Sequence, residues 1–291
     1  MKQFYRDVAF RGKSLALIDK INDIIEVYER QNLRLTLRQT YYQLVSANIV
    51  PNTEQSYKNI GSLISDGRLA GLIDWSAIED RVRQPKMPFQ FEDLTSYVAW
   101  ATDLYKLPRW EGQENYVELW VEKDALAGVL APIARKYHVT LMVNRGYSSS
   151  SAMHEAAGRY IRECGEGERN PVLLYLGDLD PSGEDMVRDI NDRLALFGVE
   201  NLHVEKLALT MEQVKTYKPP PNPAKLSDAR AKAYIKKYGA SSWEVDALPP
   251  VRLQQIITDA IKEHLNEGLM DTVISLENTH KERLRQAVEG L

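Results

Sequence analysis

The sequence predicts an α/β protein: a helical N-terminal unit of helix-turn-helix type, a mainly parallel sheet flanked by helices, and a helical tail. Three observations carry that prediction. Apolar residues recur at steps of three and four from Leu15 to Tyr28. From residue 116 onward, short apolar runs alternate with helical patterns. Two of those runs end directly in acids, Glu122 after "YVELWV" and the Asp178/Asp180 pair after "PVLLYLG".

Composition sets the frame. The 291 residues fit one large domain or two ordinary ones, and 44% hydrophobic with 27% charged residues is a globular balance. No apolar run reaches the roughly eighteen residues that suggest a membrane span. The charged stretch "MKQFYRDVAFRGKS" does not read as a signal peptide. A single cysteine, Cys164, excludes an internal disulfide framework and a cysteine-based zinc site. A reducing, cytoplasmic setting is the expectation, with no membrane partner. The net charge of −4 hides an asymmetry: residues 1–90 carry 13 Lys/Arg against 10 Asp/Glu, so the basic excess lies in the N-terminal third.

In that third, residues 14–30 read as an amphipathic helix. Thr36 with Gln39 three residues on forms a capping box, which starts a second helix that stops before Pro51. A third helix is expected in "TEQSYKNIGSLISDGRLAG", with Tyr57, Ile60, Leu63 and Ile64 inward. Three short helices in this order suggest a helix-turn-helix core. On that reading Gln55, Ser56, Lys58, Asn59 and Arg68 face double-stranded DNA. "LIDWSAIEDRVRQPK" then forms a wing carrying Arg81, Arg83 and Lys86. The plainer alternative is a three-helix cap with a solvated basic rim.

Arg38 and Tyr42 are four apart and emerge on one helix face. A phenol is a weak nucleophile at neutral pH, and an adjacent guanidinium can hold a phosphate and offset the charge that forms. The pair therefore suits transesterification at a phosphodiester. From these two residues alone, a core tyrosine beside a salt-bridged arginine is the commoner arrangement. Tyr41 reads as a packing residue.

Further on, a strand at Tyr116–Val121 leads to Glu122, a helix spans about 125–137, and "VTLMVN" forms a second strand. The loop "RGYSSSS" offers Gly146 for a tight turn and serines as helix caps. A helix at 151–163 precedes the strand that ends at Asp178 and Asp180. Ligands bind at the carboxyl ends of strands in such sheets. Three hard oxygen donors there, Glu122, Asp178 and Asp180, suit Mg²⁺ or Mn²⁺.

"LWVEKDA" and "LLYLGDLDPSG" resemble the two acidic motifs of the Toprim domain, in the version found in the A subunit of DNA topoisomerase VI and its meiotic double-strand-break relative. "VNRGYSSSSAMHEA" resembles that family's loop between the motifs. "TLRQTYYQLV" is similar to its catalytic-tyrosine motif in a winged-helix domain, and "SSWEVDALPP" to a later segment. The resemblance spans about residues 10–260 and suggests a compact bacterial or phage version. It implies Glu122, Asp178 and Asp180 as magnesium ligands and Tyr42 as the nucleophile forming a 5′-phosphotyrosyl link, with Arg38 and Glu122 in catalytic roles. It further implies a homodimer in which the tyrosine of one protomer meets the metal site of the other. The chain has no ATPase domain of its own, so strand passage implies a separate B-type ATPase subunit.

The expected organisation is a winged-helix domain at 1–95, a linker at 96–115, a Toprim-like domain at 116–214, and a Pro-rich linker with a helical region at 215–291. In the last part, the basic helix within 215–239 is a second candidate for tracking phosphates. Trp243, Val245 and Leu248 read as packing residues and Glu244 as a buried hydrogen-bond partner. One amphipathic helix is expected from about Leu253 to the end. The scattered histidines have no ligand spacing, and Cys164 is read as inert beside Glu163 and Glu166. The expected activity is Mg²⁺-dependent DNA cleavage in a cytoplasmic, nucleoid-associated protein. The alternatives are a hydrolytic nuclease using the same acids without the tyrosine, and a non-catalytic DNA-binding subunit.

Overall fold

The computed structural model of the chain describes residues 2–31, 33–79, 88–144 and 146–288. Arg81, Arg83 and Lys86 of the expected wing lie outside the described residues. Among the described residues, no helix is long and apolar enough to cross a membrane.

Three helices open the chain: α1 (Gly12–Glu29), α2 (Leu37–Ser46) and α3 (Glu54–Leu69). The capping box at Thr36 and Gln39 is present, and Thr53 caps α3 by accepting from the Ser56 N–H. Ile18, Ile21 and Ile25 of α1 meet Leu44 and Val45 of α2 and Ile60 and Ile64 of α3 in one core. Burial of these aliphatic side chains, each worth about 1.5–3 kcal/mol, holds the bundle together.

Residues 96–115, expected as a linker, instead contain most of a helix, α4 (Leu94–Leu104), which an Asp93–Ser96 capping box starts. The sheet follows, with β1 (Asn115–Val121), α5 (Asp124–Tyr137), β2 (Thr140–Val143), α6 (Ser150–Cys164), β3 (Asn170–Leu176), α7 (Pro181–Leu196) and β4 (His203–Ala208). All four strands are parallel, in the order β2-β1-β3-β4. The alternation of strands and helices in the sequence produces this arrangement, since parallel neighbours need crossover connections. Leu126, Val129 and Leu130 of α5 cover one sheet face, and Met153, Tyr160, Met186 and Ile190 cover the other.

Beyond the sheet come α8 (Met211–Tyr217), β5 (Asn222–Pro223), α9 (Ala231–Tyr238), β6 (Ser241–Ser242), α10 (Pro250–Glu263) and α11 (Glu267–Val288). The single terminal helix expected from Leu253 is thus two helices. Asn266 breaks it: its backbone exchanges hydrogen bonds with the Gln113 side chain, and its own side chain accepts from the Leu269 N–H. Leu253, Ile257 and Ile261 of α10 join the core on the α5 side of the sheet.

A buried carboxylate anchors the centre of the sheet. Glu118 of β1 takes a two-pronged ion pair from Arg159 at 2.8 and 2.9 Å, plus hydrogen bonds from Tyr116 and Trp120. Every lone pair facing a donor is used, which is the condition for tolerating a charge there. Glu118→Ala is expected to cost about 3–5 kcal/mol, because Arg159 and the Trp120 N–H lose their acceptor. A urea melt reads this directly, and an unshifted midpoint would refute it.

Candidate functional site

The site forms where the carboxyl ends of β1 and β3 meet α2 and the segment around residue 244. Glu122 directly follows β1, and its Oε2 accepts from the Asp178 N–H at 3.1 Å. Asp180 caps α7, with Oδ1 accepting from the Gly183 N–H and the Ser182 hydroxyl. Pro181 occupies the first helical turn, where its missing N–H costs nothing. Gly183 is required by close approach, since a Cβ there would overlap the Asp178 carbonyl oxygen. So "GDLDPSG" is a strand end, a cap and a tight helix start in one. Lys206 of β4 supports the same turn from below by donating to the Asp178 carbonyl at 2.9 Å and to Glu184 at 2.7 Å.

A backbone bridge brings a second motif to these acids. Leu179 and Trp243 exchange N–H···O bonds at 2.9 and 3.0 Å, and the Val245 N–H donates to Asp178 Oδ1 at 2.9 Å. "WEVD" is thereby laid beside "GDLD". Val245 is buried in the sheet core, while Ala247 enters the core of the N-terminal helices. This segment pins the helical unit to the sheet.

Two cations sit among the carboxylates. The Lys123 ammonium lies 2.9 Å from Asp178 Oδ2, 3.0 Å from Glu244 Oε2 and 3.1 Å from Asp246 Oδ1. Arg38 pairs with that same Glu244 Oε2 and lies 2.7 Å from Asp246 Oδ2. It also donates to the Tyr42 hydroxyl at 3.3 Å. Arg38, Tyr42, Lys123, Asp178, Asp180 and Glu244 line one cavity of about 440 Å³. Glu122, bonded to the Asp178 N–H, is not among the residues that line it.

Burial governs the protonation of these groups. It pushes Glu122 up to about 7, with the Asp178 charge adding to the rise and the Asp178 N–H and Lys123 opposing it. Asp178 is raised by burial as well, against the pull of Lys123. Burial also drives the Tyr42 phenol well above its usual value near 10; Arg38 opposes the rise, and Asp246 and Asp178 reinforce it. Tyr42 is only 5% exposed, packed in the helical core with its ring against Tyr41.

Among the described residues, no three His, Cys, Asp or Glu side chains converge as a ready-made metal cage. By donor chemistry and charge, Glu122, Asp178 and Asp180 nevertheless fit a hard divalent cation. All donors are carboxylate oxygens, and such an ion would offset both the burial that chiefly raises Glu122 and the smaller repulsion from Asp178 and Asp180.

The DNA-facing residues fare unequally. Lys58 is exposed and pairs with Glu54 one turn away. Arg68 instead turns inward, with its guanidinium on the carbonyls of Trp75 and Ile78 and over the Trp75 ring. Tyr41 packs as expected, and its hydroxyl accepts from the Thr53 N–H between α2 and α3. In the basic helix α9, Tyr234 is buried and donates to the Leu179 carbonyl, while Tyr238 donates to Glu184. That helix braces the acidic turn. Cys164 is raised to about 11, chiefly by burial and then by Glu163, against the pull of Arg169.

Sequence reasoning does not single out Lys123 or Asp246 as site residues, and it gives Glu244 only the role of a buried hydrogen-bond partner. Their signals are a lysine directly after Glu122 and an acid-x-acid spacing in "EVD". Neither has a meaning until the chain places residue 244 beside residue 178. No protein-family model matches this chain, and no curated protein matches it.

Proposed function

We propose that the chain is a metal-dependent DNA-cleaving enzyme of the topoisomerase VI A kind, with Tyr42 as the nucleophile. One observation carries the reading: the Arg38–Tyr42 pair and the Asp178/Asp180 acids line the same cavity. The Tyr42 oxygen bonds to phosphorus as the bond from phosphorus to the 3′ oxygen breaks. The phenol gives up its proton, the 3′ oxygen takes one, and the 5′ end stays on the tyrosine. Arg38 holds the phosphate and favours the phenolate. Mg²⁺ or Mn²⁺ held by Glu122, Asp178 and Asp180 would supply positive charge at the phosphate.

The proposal includes a winged-helix N-terminal unit, a Toprim-like sheet, a homodimer on double-stranded DNA and a separate B-type ATPase partner. Lys58 remains available for phosphate contact. Arg68 is assigned to holding the 75–78 turn.

A second reading, a hydrolytic nuclease, is favoured by the burial of Tyr42 and its raised phenol. There the acids serve an attacking water and Tyr42 only packs. Cutting of supercoiled plasmid with Mg²⁺ or Mn²⁺ separates the two. The first reading expects Tyr42→Phe to abolish cutting, and wild-type products to carry protein on their 5′ ends until protease treatment. Cutting that survives Tyr42→Phe selects the nuclease. A wild type that binds duplex but never cuts points to the non-catalytic subunit.

A further inference from the structure

Glu244 Oε2 bridges Arg38 and Lys123, two cations from different parts of the chain, inside the cavity that Tyr42 lines. An oxygen in that position does what one oxygen of a phosphate would do: it accepts from a guanidinium and an ammonium at once. We infer that Arg38 and Lys123 form a phosphate subsite, and that Glu244 occupies it in the resting chain as a displaceable stand-in for the phosphodiester. The identity of the anion as a nucleic-acid phosphodiester rests on the proposed function; the subsite itself does not.

The two acids that share these cations are held very differently. Asp246 has no exposed surface and lies against both Arg38 and Lys123, so it fixes their heads in place. The Glu244 side chain is 26% exposed, and beyond the two cations its contact is a long 3.5 Å hydrogen bond from Asn222. The backbone on either side is fixed, by the Leu179–Trp243 bridge before it and the buried Val245 after it. Only the Glu244 side chain is therefore free to swing out. Arg38 is 40% exposed, so an incoming anion can reach it as Glu244 leaves.

The arrangement also answers an electrostatic problem. Arg38 and Lys123 side by side would repel each other, and Glu244 joins Asp246 and Asp178 in offsetting that repulsion until substrate arrives. The cost is competition, since phosphate must displace a carboxylate tethered at high effective concentration. Releasing that competitor should therefore strengthen anion binding. A purely structural glutamate would give no such gain.

Binding is measured in metal-free buffer, where no cutting occurs, with inorganic pyrophosphate by calorimetry and with a labelled duplex by fluorescence anisotropy. Glu244→Gln is expected to bind both probes about tenfold more tightly than wild type, the scale of one partly screened charge at contact distance. Adding Arg38→Met or Lys123→Met is expected to remove the gain. If Glu244→Gln does not fold, Glu244→Asp, which withdraws the carboxylate by one methylene, should show part of the gain. Pyrophosphate binding that is no tighter in the folded variant overturns the subsite, whatever the duplex does. Tighter pyrophosphate binding with no duplex binding by any variant upholds the subsite and removes the DNA reading.

Discussion

Asp178→Asn is expected to lower plasmid cutting at least about a thousandfold, and mixing it with Tyr42→Phe is expected to restore none of the loss. The magnitude follows from what the substitution removes. Asparagine keeps the acceptor for the Val245 N–H but takes away a full charge beside Lys123, at the centre of the acidic site. Loss of one charge-stabilising group in a sheltered site costs about a hundred- to a thousandfold, and loss of a proposed metal ligand adds to it. The mixing result rests on connectivity. Arg38, Tyr42, Asp178 and Asp180 line one cavity of a single chain, so each protomer of a homodimer would carry its own complete set. Neither variant then has a complete site to contribute. If the tyrosine of one copy reached the acids of another, as the resemblance implies, mixed dimers would regain one good site and nick the plasmid. Nicking by the mixture would therefore sink the single-chain site while leaving the chemistry intact.

The elements most legible in the sequence were those set by local rules. The Thr36–Gln39 capping box, the apolar spacing of α1 and the strand ends at Glu122 and Asp178 depend on neighbours within a few residues, and they appear where the pattern puts them. The break between α10 and α11 was illegible because it is made by Gln113, some 150 residues upstream, not by a proline or glycine at the break. Arg68 illustrates the same limit on the functional side. Its position on α3 suits a DNA-facing residue, yet the carbonyls of Trp75 and Ile78, in the turn past the helix end at Leu69, claim its guanidinium. The candidate site was half legible. Each acid could be placed at a strand end, but that Glu244 and Asp246 would face Arg38 and Lys123 depends on the Leu179–Trp243 bridge, a pairing with no periodic signature. Long-range ion pairs are chosen by the fold, and a sequence shows only their ends.

Glu277→Ala is expected to destabilise the protein by about 3–5 kcal/mol, the range for removing one partner of a buried ion cluster. Glu277 lies on α11 with no exposed surface. One carboxylate oxygen takes Lys106, Arg109 and Lys281 at 2.9 to 3.1 Å, and the other takes the Leu107 N–H at 3.1 Å. This cluster ties α11 to the segment just after α4, the region expected to be a linker. Without the carboxylate, three cations face one another around a cavity. Burial by itself would raise the Glu277 carboxyl; the bonds from Arg109, Lys281 and Lys106 overcome it and hold the group well below the ordinary carboxylate range. A carboxyl depressed on folding contributes stability that is fully present above its unfolded value, near 4.3, and is lost as pH falls toward the folded one. The stability gap between wild type and Glu277→Gln should therefore be constant from pH 8 to about pH 5 and shrink steadily below about pH 4. Urea midpoints at pH 7, 5, 4 and 3 measure it. A gap that stays constant into acid would show that Glu277 acts through shape and packing, and that the charge cluster does not hold α11.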